Sequence, residues 1–370
     1  MKKYLSFVLV LLLSMPVRAE EEPNVSAKSA VCIEYHTGKV VYAKNADVRL
    51  PMASTTKIMT ALLALEEGNL SDMVTISPNA ANVEGSSMYL KAGEKLSLSD
   101  LLWGLMLSSG NDAAVAIAEH MAGNEADFAK HMTERATELG CTNTCFKNAS
   151  GLPDDEHYTT ALELARITGK ALENVKFREI VSQKSAIVAG RTLSNHNKML
   201  SLYEGAIGVK TGYTKKAGRT LVSAANRGGV ELIAVTLNAP DDWTDHKNML
   251  DYAFSKMERR EICAKGEQIA NASVIGGMEK MVPLCFAEDV SIPVLKTDKT
   301  EVKPIVEAAL TAPVEEGIVA GRAEIYVDSV KMGEVPLLTA ESVPETKSPS
   351  LWVYVQKVFA LWASLYIVTT

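Results

Sequence analysis

The sequence predicts an α+β fold: an antiparallel sheet whose strands come from both ends of one domain, with a helical cluster beside it, followed by a small β-sandwich and a C-terminal amphipathic helix. Three observations predict it. β-Branched, strand-like runs occur at 30–43 and again between 206 and 237, with helical periodicities between them. Residues 261–343 are rich in Val, Ile, Lys and Glu, are broken by Gly266, Gly276-Gly277, Gly317, Gly321 and Gly333, and contain short alternating runs such as Ala323–Val327. Beyond the Pro344–Pro349 linker, apolar residues return at helical spacing through 348–370. The chain has 370 residues, 47% hydrophobic and 22% charged. It is longer than a single core of roughly 250–300 residues uses, and its composition is globular. A net charge of -7 argues against a nucleic-acid binder, which calls for a basic surplus.

The elements follow in order. Lys2 and Lys3, the apolar stretch Tyr4–Met15 and the small residues of Val17-Arg18-Ala19 read as a signal peptide over 1–19, with cleavage expected after Ala19. The alternative is an uncleaved anchor, and both readings export the remainder. The first domain is expected over 20–258. It opens with two strands, Ala30–Ile33 and Lys39–Tyr42, joined at Thr37-Gly38. A helix starts near Ser54 and runs to Gly68. The span Leu98–Met121 is helical but interrupted by the turn-forming Ser108-Ser109-Gly110-Asn111. Further helices are expected over Glu125–Leu139 and Thr160–Glu173. Gly208–Thr214, Arg219–Asn226 and Val230–Leu237 read as strands, the last two turned at Gly228-Gly229, and a helix over Trp243–Lys256 closes the domain.

Five cysteines lie in the exported part. Export permits disulfides without requiring them, so Cys141 with Cys145, and Cys263 with Cys285, are candidate pairs, leaving Cys32 free in its apolar strand. There is no C-x-x-C and no H-E-x-x-H, and the six histidines are scattered, so neither a metal nor another cofactor is expected.

Three short motifs carry the chemistry: Ser54-Thr55-Thr56-Lys57, Ser109-Gly110-Asn111 and Lys210-Thr211-Gly212. The second has a rival in Ser77-Pro78-Asn79, which reads as an ordinary turn before a helix. The Ser109 copy interrupts a long apolar helix, where a polar turn needs a reason. Lys57 lies one turn after Ser54, on the same face. A serine hydroxyl needs a base, and Lys57 serves as one once desolvation and a nearby cation, Lys210, lower its pKa. The Ser54 N–H at a helix start and the Tyr213 N–H just after Gly212 form an oxyanion hole if the strand lies alongside. Ser109 relays a proton toward the leaving amine. Asn111 donates to a substrate carbonyl and holds Lys57. Lys210 and Thr211 bind a terminal carboxylate, and Gly212 lets the substrate backbone approach the strand edge.

The three motifs in this order resemble those of the penicillin-recognising serine acyl enzymes. Asn148-Ala149-Ser150-Gly151-Leu152-Pro153, His157-Tyr158-Thr159-Thr160-Ala161, the run Lys210–Gly218 and Asn238-Ala239-Pro240 before Asp241-Asp242-Trp243 sharpen the likeness. Over about 25–260 the chain resembles the low-molecular-weight penicillin-binding proteins, the serine D-Ala-D-Ala carboxypeptidases of peptidase family S11; the β-rich module and tail resemble it more loosely. The resemblance implies a penicillin-binding/β-lactamase-like transpeptidase domain. It implies removal of the terminal D-alanine from peptidoglycan pentapeptides through an acyl-enzyme on Ser54, with β-lactam antibiotics acylating the same serine. Catalytic roles fall on Ser54, Lys57 and Ser109, and substrate binding on Asn111, Lys210, Thr211, Gly212 and Tyr213. Gly110 departs from the Asp that many β-lactamases carry there.

Two rivals share the motifs. A class A β-lactamase would need a deacylating glutamate in an E-x-x-L-N context, which is missing between Asn148 and Lys210. The other is a sensor that is acylated without turnover. In the tail, Leu351, Trp352, Val355, Val358, Phe359, Trp362, Leu365 and Tyr366 form one apolar stripe opposite Gln356, Lys357 and Ser364. No basic residue follows it. A helix lying in the outer face of the cytoplasmic membrane is therefore favoured over one that spans it, and over one packed on the β module.

Overall fold

The computed structural model describes residues 21–306, 308–346 and 351–367, so the targeting segment, its cleavage point and positions 347–350 fall outside the described residues. The chain opens with β1 (Ser29–Glu34) and β2 (Val40–Lys44), the expected hairpin. A 3-10 turn at Ala53–Thr56 leads into α1 (Lys57–Glu67). Around it, β3 (Met73–Thr75) and β4 (Lys95–Ser97) form a ribbon that encloses the short α2 (Pro78–Ala81). Ser77 Oγ accepts the Ala80 N–H at 2.9 Å there, so the second S-x-N match is an ordinary helix cap. A capping box starts α3 (Leu98–Leu107), with the Asp100 N–H donating to Ser97 Oγ at 3.0 Å and the Ser97 N–H to Asp100 at 3.3 Å. The anticipated interruption then separates it from α4 (Asn111–Ala122).

The helical side continues with α5 (Glu125–Glu138) and α6 (Ala161–Leu172), close to their expected bounds. Three further elements were not foreseen: α7 (Val175–Ser182), the hairpin β5 (Ser185–Val188)–β6 (Arg191–Ser194), and α8 (Met199–Leu202). None of their helices and strands exceeds eight residues, too few to show a clear period. The domain closes with β7 (Ala206–Thr214), β8 (Gly218–Arg227), β9 (Val230–Leu237) and α9 (Asp242–Lys256).

The five strands order as β2-β1-β9-β8-β7, all antiparallel, and β1 pairs with β9 from Ser29 opposite Leu237 to Glu34 opposite Leu232. The first and last strands of the domain thus lie side by side, as expected. All eight residues of β9 are buried, because the sheet is covered on both faces. Val31, Ile33, Ile233 and Val235 face the main helical cluster, whereas Cys32, Leu232 and Ala234 face α9 through Met249 and Leu250. Each such aliphatic side chain contributes about 1.5–3 kcal/mol by leaving water.

The C-terminal module contains β10 (Met257–Cys263), β11 (Gln268–Ile275), β12 (Met281–Phe286), β13 (Val290–Leu295), β14 (Thr300–Ile305), β15 (Leu310–Thr311), β16 (Val319–Val327) and β17 (Val330–Thr339). A sheet ordered β14-β16-β17-β12-β11-β15 and the pair β10-β13 give it a separate core around Ala272, Val282, Leu284, Val335 and Leu337. Lys39 in the β1–β2 turn ties the two units by ion pairs to Asp298 and, at 3.1 Å, to Asp328.

All five cysteines are free thiols, which answers the two candidate pairings. Cys141 Sγ lies 3.6 Å from the Glu163 carbonyl, whereas Cys145 Sγ is turned toward the Phe146 carbonyl at 4.0 Å. Cys263 Sγ faces the Glu288 carbonyl at 3.9 Å and Cys285 Sγ the Leu338 carbonyl at 3.5 Å. Cys32 is buried between the sheet and α9, which pushes its thiol pKa up.

The tail forms α10 (Leu351–Ile367). Its Lys357 ammonium donates to Glu345 at 2.6 Å and to the Ala312 carbonyl at 3.3 Å, so the polar side meets the module. Leu351, Trp352, Tyr354, Val358 and Phe359 are exposed. Among the described residues no helix is long and apolar enough to cross a membrane.

Candidate active site

Ser54 sits in the turn that opens α1, directly after Ala53, whose φ of +48° is left-handed for a residue with a Cβ. One turn on, Lys57 is fully buried. Its Nζ lies 3.1 Å from Ser54 Oγ, 2.7 Å from Asn111 Oδ1 and 2.6 Å from the Ser150 carbonyl. A neutral amine has two N–H groups and one lone pair. Two obligate acceptors take N–H groups, and the Ser54 hydroxyl, which either accepts or donates, is the third partner. Burial first, and then the charge of Lys210, push the Lys57 pKa well below the usual lysine range.

The break between α3 and α4 brings in the second motif. Ser109 adopts φ +57°, and the Gly110 N–H reaches back to the Gly104 carbonyl at 3.1 Å. A Cβ on Gly110 would lie 2.6 Å from Asp112 Oδ1, so the departure from Asp at this position has a steric reason here. Asn111 donates one amide N–H to the Glu84 carbonyl at 2.6 Å, which turns its Oδ1 toward Lys57.

The stretch Asn148–Leu152 supplies the third Lys57 contact. Asn148 Oδ1 accepts the N–H groups of Gly151 at 2.7 Å and Leu152 at 3.1 Å, and this turn aims the Ser150 carbonyl at Lys57. Gly151 has φ +87°, and a Cβ there would fall 1.9 Å from the Ala53 carbonyl oxygen, so only glycine fits against the backbone before Ser54. The buried His157 accepts the Lys147 N–H at Nδ1, 3.0 Å away, so its proton is on Nε2, 2.7 Å from Thr56 Oγ1. Burial lowers its pKa to about 4, which keeps the ring neutral.

Strand β7 runs past the serine. The position a Cβ would take on Gly212 is 2.9 Å from the Ser54 nitrogen and 2.4 Å from Thr220 Oγ1. The Thr220 hydroxyl donates to the Met52 carbonyl at 3.1 Å and locks β8 against the same turn. Lys210 is buried and donates to the Thr211 carbonyl at 2.9 Å, and burial lowers its pKa to about 7.

Ser54, Ser109, Thr211, Gly212 and Tyr213 line one cavity of about 370 Å³. Lys57, Asn111 and Lys210 are buried rather than part of its lining. Residues that sequence reasoning missed also line it: Ser86, His196, Arg219 and Trp243. Arg219 is held by Asp242 through bonds of 3.0 and 2.7 Å and lies over the Trp243 ring, 5.6 Å from its centroid. The available signal was the hairpin register, because Arg219 pairs across from Tyr213. An array of a hydroxyl against a buried amine of lowered pKa, next to a strand edge and a guanidinium at the cavity wall, is suited to acyl transfer from a peptide ending in a carboxylate.

Residues 16–241 match the family described as D-alanyl-D-alanine carboxypeptidase, and residues 258–345 match the family described as penicillin-binding protein 5, C-terminal domain. The chain is 36% identical over 333 residues to the D-alanyl-D-alanine carboxypeptidase DacF of Bacillus subtilis, covering 86% of each chain. It is 31% identical to DacC of Escherichia coli, covering 92% of this chain and 90% of that one. Among solved structures, penicillin-binding protein 5 of Haemophilus influenzae superposes with a TM-score of 0.66 at 29% identity, over 88% of this chain and all of that one. PBP3 of Streptococcus pneumoniae gives 0.74 at 28% identity, over 86% of this chain and 100% of that one. The chain belongs to the serine-type D-alanyl-D-alanine carboxypeptidases, the low-molecular-weight penicillin-binding proteins of peptidase family S11.

Proposed function

We propose that the reaction runs on Ser54 with Lys57 as base. Ser54 Oγ attacks the carbonyl of the penultimate D-alanine as its proton passes to Lys57. The Ser54 and Tyr213 N–H groups receive the developing oxyanion. The proton then reaches the departing amine of the terminal D-alanine through Ser109, leaving an acyl-enzyme. Lys57, having passed that proton on, then takes a proton from a water molecule, whose oxygen attacks the acyl carbon; Ser54 Oγ leaves, recovers the proton from Lys57, and the shortened peptide is released. β-Lactams enter at the same serine. Thr211 and Arg219 take the terminal carboxylate, with the buried Lys210 adding positive field behind them and Asn111 on the acyl side.

One observation carries this reading: the Lys57 nitrogen lies fully buried 3.1 Å from Ser54 Oγ, held there by Asn111 Oδ1 and the Ser150 carbonyl. The test is release of free D-alanine from a diacyl-tripeptide ending in D-Ala-D-Ala, together with intact-mass detection of a penicillin adduct. Ser54→Ala should lose both. An adduct that persists in that variant would move the nucleophile elsewhere.

The setting belongs to the same proposal. The N-terminal segment directs export, and α10 holds the enzyme at the outer face of the cytoplasmic membrane. What supports this is the orientation of the helix, with Lys357 bonded inward and Trp352, Tyr354 and Phe359 outward. Seventeen residues reach only about 26 Å, which favours lying in the interface over crossing it.

A further inference from the structure

Trp243 lines the catalytic cavity together with Thr211, Tyr213 and Arg219, and it also packs on the core between the sheet and α9. Its mount is fixed from two sides. Asp242 and Trp243 open α9, and the first turn of that helix is clamped to the start of the domain. Asp245 accepts the Ser26 N–H and the Ser26 hydroxyl, both at 2.7 Å, and the Ala27 N–H at 3.0 Å. The Asp241 N–H donates to Ser26 Oγ at 3.0 Å. On the strand side, the Arg219 carbonyl accepts the Ala239 N–H at 2.9 Å. A wall held this way does not swing aside for a larger ligand.

Arg219 is oriented within that wall. Its Nε and Nη2 both donate to Asp242 Oδ1, and among the described residues no partner takes Nη1. The Asp242 side chain is 3% exposed and that of Arg219 41%, so the acid lies behind the guanidinium. The guanidinium carbon is 5.6 Å from the centre of the Trp243 ring. A carboxylate bonded to Nη1 has its carbon only roughly 4 Å from the guanidinium carbon. The residue that carries this carboxylate thus sits in the part of the cavity that Trp243 walls.

We propose that Trp243 sets the size of the terminal residue: its indole closes the subsite of the leaving D-amino acid, accepting a methyl group and excluding larger side chains. This rests on the acyl-enzyme reading above, with the carboxylate at Thr211 and Arg219. The selection acts on the leaving group alone and leaves Ser54 and Lys57 as they are.

The experiment compares the full-length enzyme with Trp243→Ala and Trp243→Leu on two diacyl-tripeptides, one ending in D-Ala-D-Ala and one in D-Ala-D-Leu. A penicillin adduct and a thermal melt are recorded for each protein. The readout is kcat/KM on the D-Leu peptide divided by kcat/KM on the D-Ala peptide. Removing the ring also withdraws the surface beneath Arg219, but that weakens both carboxylates alike and cancels in the ratio. The ratio should rise by about 10-fold or more in Trp243→Ala, and by at least about threefold in Trp243→Leu. The Leu side chain keeps an apolar contact with the core, so this variant gives the answer even where the Ala variant does not fold. A ratio that falls, or stays within twofold of the parent in a folded variant, would overturn the proposal. A penicillin adduct alongside that unchanged ratio would reject the wall and leave the acyl-enzyme reading standing. A parent enzyme that forms no adduct would overturn that reading, and this inference with it.

Discussion

Gly151→Ala tests the coupling between the turn at 148–152 and the nucleophile. The perturbation is one methyl group. At φ +87° it costs about 1–2 kcal/mol in backbone strain alone. It would also lie 1.9 Å from the Ala53 carbonyl oxygen and 2.9 Å from the Ser54 nitrogen, so one of the two segments must move by roughly 1 Å. Either movement separates Ser54 Oγ from Lys57, or the Ser150 carbonyl from the same nitrogen. A misplacement of that size lowers rate by on the order of 100-fold. Gly140→Ala is the control, because its φ is +76° and nothing lies within 4 Å of its Cβ position. The assay is the second-order rate of penicillin acylation, followed by intact mass, with a thermal melt for each protein. Gly140→Ala should lose stability and keep its rate; Gly151→Ala should lose both. A rate for Gly151→Ala within twofold of the parent would refute the argument that this backbone contact sets the position of Ser54.

Lys57→Arg replaces an amine of lowered pKa with a guanidinium that stays protonated, so acylation should fall by at least about 100-fold; a near-parental rate would remove Lys57 from the base role. Arg219→Gln should weaken a carboxylate-ended peptide by about 10- to 100-fold in kcat/KM while changing its amidated counterpart little; equal effects on the two would separate Arg219 from the carboxylate. Lys210 has a folded pKa of about 7, below its ordinary value, so the unfolded chain binds the extra proton between there and roughly pH 10. The cost of the buried ammonium is present in full below about pH 7 and is lifted as pH rises. Lys210→Met should therefore be the more stable protein at pH 6.5, with a lead that narrows by on the order of 2–3 kcal/mol by pH 9.5 in urea melts; a constant gap would contradict the lowered pKa. Ending the chain at Lys347 should leave peptide hydrolysis unchanged and abolish flotation with liposomes; flotation of both forms, or of neither, would reject the tail as the membrane contact.

Local patterns in the sequence determined a large part of this protein. The Ser54–Lys57 spacing is a helical spacing, so the two meet wherever the helix goes. The run 108–111 breaks a helix because Ser, Gly and Asn favour turns. Other features depend on residues far apart in the chain, and only the tertiary structure decided them. Asn111 and the Ser150 carbonyl reach Lys57 from segments dozens of residues away, and burial by that assembly lowers its pKa. Lys210 reads in sequence as a carboxylate ligand, but the packing buries it and leaves Arg219 at the cavity wall, held by Asp242. The cysteines are near neighbours in sequence, yet their sulfurs face different carbonyls. Strained backbone at Ala53, Tyr89 and Ser109 leaves no composition signal either, because each is imposed by neighbours that packing brings in. Periodicity reports what a segment does with its own hydrogen bonds and apolar face; which charges and carbonyls converge on one amine is set by the packing of the whole domain.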